Sequence, residues 1–158
     1  EILMDHVHLV RPLPGAREAV GRLRRHILTG VISNGPIEFI RAQLAQVGMS
    51  GWFAVEVADA DPKPSPGGIL RACAKLGIEP HEALFVGDSR FDRGAAEAAG
   101  SPHVIIPEDA DREEALAECR QRVVAAKALH VMPQRRPGTL RHGVSILHPV
   151  HLHSVNRS

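Results

Sequence analysis

The run ALFVGD, residues 83–88, constrains the fold more than any other stretch. Its apolar residues are consecutive rather than alternating, so neither face is left for water. It is also too short to be a helix spanning a core. A strand of this kind needs apolar cover on both sides, and a parallel sheet lying between helices provides it. The run ends in Gly87 and Asp88, so a carboxylate appears where a buried strand surfaces.

The surrounding sequence supports an α/β fold with a parallel sheet. Ala16, Ala19, Val20 and Leu23 recur at helical spacing, which predicts one buried stripe with Arg22, Arg24 and Arg25 outside it. ILTGVIS (27–33) reads as a strand, and Pro36 suits the first turn of a helix burying Ile37, Ile40, Leu44 and Val47. WFAVEVAD (52–59) reads as a second strand. DPKPSPGG (61–68) is a loop, from which Ser65 and Pro66 lead into a helix burying Ile69, Leu70, Cys73 and Leu76 and ending at Gly77. After ALFVGD, a short Ala-rich helix is expected from Asp92 to Ala99, then a strand at HVII (103–106). Asp111 with Glu114 marks a further helix to about Leu129. Beyond Met132 the pattern is lost: Val144, Ile146, Val150 and Leu152 alternate as in a strand, but Pro149 interrupts.

Bulk properties narrow the class. A chain of 158 residues suits one domain. With 19 basic and 18 acidic residues the net charge is +1, so no global field draws in nucleic acid or an anionic membrane. No apolar run approaches the roughly 18 residues of a membrane span. Cys73 and Cys119 lie far apart without ligand spacing, which points to free thiols and a cytoplasmic setting. His130, His142, His148, His151 and His153 crowd the C-terminal stretch, but no cysteine or carboxylate completes a zinc spacing.

In parallel α/β sheets ligands bind at the carboxyl ends of the strands. Three such ends carry chemistry here. One has Ser33-Asn34-Gly35, one leads to Lys63 between two prolines, and one has Gly87-Asp88-Ser89 with Asp92 a turn later. A hydroxyl and backbone N–H groups suit phosphate oxygens, an ammonium neutralises their charge, and carboxylates suit Mg²⁺. Singly, each has a plainer explanation as a turn, a loop lysine or a helix cap; their order and placement together point to Mg²⁺-assisted phosphoryl transfer.

These motifs resemble the haloacid dehalogenase-like hydrolases, and especially their phosphoglycolate phosphatase-like branch. PLPGAREAVGRLR resembles the entry to that family's core, VISNG its second motif, KPSP its third and ALFVGDSRFDRGAAEAAG its fourth. The resemblance runs from about residue 10 to 106. It implies a Rossmann-like core in which Ser33 and the Asn34 amide bind the phosphoryl group. Lys63 would hold the phosphate, Asp88 would ligate Mg²⁺, and Asp92 would orient Lys63. The substrate it implies is a small phosphorylated metabolite.

The family's first motif, D-x-D-x-T/V, has no counterpart. Asp5 is followed by Val7 and Leu9 where Asp and Thr or Val belong. Residues 1–11 are therefore expected to be the remnant of a helical cap, residues 12–130 the core, and 131–158 an atypical tail. The sheet's first, central strand and its nucleophilic aspartate are expected upstream of Glu1. Without that strand the backbone groups of its neighbours need water or a substitute partner, and the chain alone is expected to be marginal or prone to aggregate. The functional readings that follow are a phosphomonoesterase, a dehalogenase of the same fold that needs no Mg²⁺, and a non-catalytic variant binding phosphate or a partner. Asp88 argues for the first over the second.

Overall fold

The computed structural model describes residues 7–12, 15–58, 61–106 and 144–147, together with Met4 and Gln121. The chain enters through a 3-10 turn at Val7–Leu9, after which Val10 is buried. Helix α1 (Ala16–Leu23) leads to β1 (Leu28–Ile32), then α2 (Ile37–Gln46) and β2 (Val55–Val57). Helix α3 (Gly67–Leu76) precedes β3 (Ala83–Gly87), α4 (Arg90–Ala99) and β4 (His103–Ile105). A further strand, β5 (Val144–Leu147), completes a sheet of order β2-β1-β5-β3-β4. Every pairing in it is parallel.

The expected burial of β3 on both faces is present. Phe85 and Val86 point to opposite faces and both are buried. On one side Phe85 joins Ile32, Val55 and Val57 beneath Ile69, Ala72 and Cys73 of α3 and Ala95 and Ala96 of α4. On the other, Val31 packs with Val10, Val20, Ile40, Leu44, Val47 and Met49, while Val86 packs with Val104 and Ile106. Burial pushes the Cys73 thiol up to about 11, with Glu79 and Glu82 adding to the effect.

Several boundaries differ from the sequence reading. The strand expected over 52–59 shortens to Val55–Val57. Trp52 instead lies in a loop whose ring is flanked by the guanidinium carbons of Arg24 and Arg17, 4.9 and 5.6 Å from its centroid. Its carbonyl accepts from the Thr29 hydroxyl at 2.9 Å, which satisfies that buried side chain. Leu70 is exposed, and Ala72 takes a core position on α3. Helix α4 begins at Arg90 rather than Asp92, because Ser89 caps it. The helix expected over 111–129 lies outside the described residues except for Gln121.

The largest difference is β5. The sequence placed residues 131–158 in a tail, yet four of them pair within the sheet. Leu28–Val31 of β1 align with Val144–Leu147 on one side, and Ala83–Val86 of β3 align with the same residues on the other. β1 and β3 thus share a partner strand that lies well after both in the sequence. The Val144/Ile146 alternation marked the strand; its place in the sheet depends on a pairing across more than a hundred residues, which no local pattern encodes.

Phe85 is wholly buried at the centre of the larger core. Phe85→Ala should lower unfolding stability by about 3–5 kcal/mol, measured by urea denaturation followed by circular dichroism.

Candidate active site

The carboxyl ends of β1, β2 and β3 open on the same edge of the sheet because the strands are parallel. At the end of β1, the Ser33 N–H donates to the Val57 carbonyl at 3.0 Å, which ties the loop to β2. The Gly35 N–H donates to Ser33 Oγ at 3.1 Å, closing a small hydroxyl turn. Asn34 reaches further. Its Oδ1 accepts from the backbone N–H of Lys63 at 3.1 Å, so the loop after β1 holds the loop after β2.

That anchored loop delivers the Lys63 ammonium to Asp92. Nζ lies 2.7 Å from Oδ1, and the two side chains are only 6% and 1% exposed. At such burial the pair is scarcely screened by water or salt. Burial is also the main influence on Lys63, holding its pKa below 10.5; the hydrogen bond to Asp92 and the charges of Asp92 and Asp88 partly offset it. The pair that the sequence led us to expect is present, with Asp92 in the first turn of α4, three residues after the Ser89 cap.

Asp92 has a second task on its other oxygen. Oδ2 accepts from the N–H groups of Asp88 and Ser89 at 3.3 and 3.1 Å and from the Ser89 hydroxyl at 2.5 Å. Ser89 Oγ in turn accepts from the Asp92 N–H at 3.1 Å. This reciprocal capping box fixes the first turn of α4 against the end of β3. The sequence reading gave Ser89 no role, although S-x-x-D before an Ala-rich run is a legible form of that signal. Gly87 is what lets the two elements meet so closely. A Cβ there would collide with the Cβ of Asp92 and lie 2.7 Å from its Cγ.

Asp88 is half-buried directly after β3, near enough for its charge to act on Lys63. Among the described residues no three His, Cys, Asp or Glu side chains form a metal-binding group. Ser33 and Asp88 thus follow the carboxyl ends of β1 and β3 on one edge of the sheet, with the buried Lys63 ammonium on Asp92.

A model of the haloacid dehalogenase-like hydrolase family matches residues 4–100. The chain belongs to that family. It is 36% identical over 107 residues to the phosphoglycolate phosphatase of Yersinia pestis, an alignment covering 66% of the chain and 46% of that relative. The chain thus spans about half the length of the curated relatives it matches. Among solved structures, a subfamily IA hydrolase from Geobacter sulfurreducens superposes with a TM-score of 0.54 at 37% identity, covering 58% of this chain and 48% of that one. CbbY from Rhodobacter sphaeroides, solved in complex with phosphate, superposes with a TM-score of 0.56 at 26% identity, covering 60% and 45%. Across the described residues no helix is long and apolar enough to cross a membrane.

Removing one member of the buried pair strands the other. Lys63→Met should destabilise the chain by about 3–5 kcal/mol, and adding Asp92→Asn to it should recover part of that loss, both read by urea denaturation. Lys63 should titrate with a midpoint below 10.5 when its Cε resonance is followed by NMR. The unfolded chain then binds more protons between the folded midpoint and 10.5. Stability attributable to this group should therefore rise with pH across that window.

Proposed function

We propose that the chain is the core of a Mg²⁺-dependent phosphatase that hydrolyses a small phosphate monoester, with phosphoglycolate the first candidate substrate. The observation that carries this reading is the buried Lys63 ammonium. It is held by its own backbone to Asn34 and by its side chain to Asp92, beside the Ser33 loop. A cation fixed in this way needs no rearrangement when a phosphoryl group arrives, so its charge is already oriented. The names of the curated relatives support the substrate class.

In this reading the Ser33 hydroxyl and the Asn34 backbone N–H hold two phosphoryl oxygens, and Lys63 faces their charge. Asp92 keeps Lys63 protonated and aimed. Its other oxygen keeps α4, and with it Asp88, in register with β3. Mg²⁺ fits one carboxylate supplemented by water and substrate oxygens, which Asp88 provides from this chain; when bound, the ion neutralises phosphoryl charge. The proposed reaction is displacement at phosphorus by a carboxylate. Its oxygen bonds to phosphorus as the ester P–O bond breaks, and the leaving alkoxide takes a proton. Water then attacks the aspartyl-phosphate, returning the carboxylate and releasing inorganic phosphate. The 158 residues hold no D-x-D-x-T/V run to supply that carboxylate. The setting proposed is cytoplasmic.

Binding of inorganic phosphate, measured by isothermal titration calorimetry with Mg²⁺ present, separates the cradle from the chemistry. Lys63→Met should weaken it by about tenfold or more, since a charge-assisted contact is lost. Ser33→Ala should weaken it by about three- to tenfold. Phosphate affinity unchanged by both substitutions would sink the proposal.

A further inference from the structure

Asp92 fixes the far end of Lys63, but an ammonium on a flexible four-carbon stem is placed only as well as the backbone that carries it. That backbone offers few handles. Proline has no N–H, so in Pro62-Lys63-Pro64 the Lys63 N–H is the one main-chain donor. It is given to Asn34 Oδ1 at 3.1 Å. The Pro62 carbonyl accepts from the Ser65 N–H at 3.0 Å, which closes the turn on itself without placing it. Towards α4, Pro64 packs so closely on Gly94 that an added Cβ there would lie 3.0 Å away. Among the described residues, the hydrogen bond that ties this turn to the loop after β1 is the one from Lys63 to Asn34.

We propose that the Asn34 side chain is a positioning residue for Lys63. By taking the single donor of the turn, it sets the Lys63 backbone relative to the Ser33 loop. Asn34 follows Ser33 directly, so hydroxyl and anchor belong to one short loop. The shape of that loop is set independently, by the Gly35 N–H on Ser33 Oγ and the Ser33 N–H on the Val57 carbonyl. Lysine has much rotamer freedom to lose, and holding it at both ends limits the paths its stem can take.

This role is separate from the one proposed for the Asn34 backbone N–H. That group touches the phosphoryl oxygens, whereas the side chain acts through Lys63. Asn34 is exposed, and a neutral hydrogen bond at such a position adds little to global stability. Its loss should therefore be felt in the turn and not across the sheet. The consequence for phosphate rests on the phosphatase reading; the positioning of Lys63 does not.

The test compares the unaltered full chain with Asn34→Ala, which loses the acceptor, and Asn34→Asp, which keeps an acceptor oxygen. Followed by NMR, the Lys63 amide should exchange at least about fivefold faster in Asn34→Ala and return to the unaltered rate in Asn34→Asp. Amides paired between β3 and β4 should keep their rates in both variants. An unchanged Lys63 rate in Asn34→Ala, or an acceleration shared by the β3–β4 amides, overturns the proposal. Calorimetry with inorganic phosphate and Mg²⁺ gives a second measure. Asn34→Ala should weaken binding about three- to tenfold in the unaltered chain, but less than about twofold in Lys63→Met, where no ammonium is left to position. Equal weakening in both backgrounds overturns the proposal, because a general loosening or a direct phosphate contact would act without Lys63. Should Lys63→Met fail to fold, the exchange rates decide. An unaltered chain that binds no phosphate counts against the phosphatase reading, and the exchange rates then decide positioning by themselves.

Discussion

The ion pair between Lys63 and Asp92 organises everything around the site. Two unit charges removed from water are tolerated only when each is fully matched. Lys63 has the carboxylate and the neighbouring Asp88 charge; Asp92 has the ammonium on one oxygen and three donors on the other. Meeting those requirements positions three separate pieces of chain. The loop after β2 must descend to the pair, the first turn of α4 must wrap it, and β3 must end without a side chain at Gly87 to leave room. Close contact between Gly94 and Pro64, where an added Cβ would lie 3.0 Å from Pro64, shows how tightly the same loop seats on α4. The energetic return of such a pair is modest at best. What it contributes is a single arrangement of the elements that carry the chemistry.

The sequence made a large share of this legible, for identifiable reasons. Consecutive apolar residues in ALFVG report burial on both faces, and this survives any choice of neighbours. The helical stripes of α1 to α3 were readable because their cores are repetitive, although Leu70 fits the stripe and is nonetheless exposed. That Ser33, Lys63, Asp88 and Asp92 follow strand ends on one edge was readable because the strands are parallel. Less legible were features set by contacts between distant residues. Trp52 belongs to a strand by propensity, but two arginines and Thr29 hold it in a loop. The sequence reading assigned a role to the Asn34 amide and none to its side-chain oxygen, which in the structure accepts from the Lys63 backbone N–H.

The family relationship and the geometry carry different weights. The match over residues 4–100 places the chain among haloacid dehalogenase-like hydrolases, and its relatives include phosphoglycolate phosphatases. The described residues place the Ser33 hydroxyl, the buried Lys63 ammonium and the Asp88 carboxylate on one edge of the sheet, and the proposed phosphoryl-transfer role rests on that placement. Positioning and charge neutralisation are also where most of the catalysis of such reactions resides.

The position of β5 has a consequence for how the molecule is made. The strand at the middle of the sheet is the last of the described strands to be synthesised. During chain growth, β1, β2, β3 and β4 emerge first, and the inner edges of β1 and β3 stay without their final neighbour until residue 147 has appeared. Pairings of such sequence separation close late and slowly, because the loop entropy comes before the contacts that offset it. In that interval the nascent chain exposes two parallel strand edges facing each other across an empty width. Exposed edges of this sort are where a folding chain most readily pairs with the wrong partner. A sheet closed from its centre outward would avoid the hazard; this one is closed from its flanks inward.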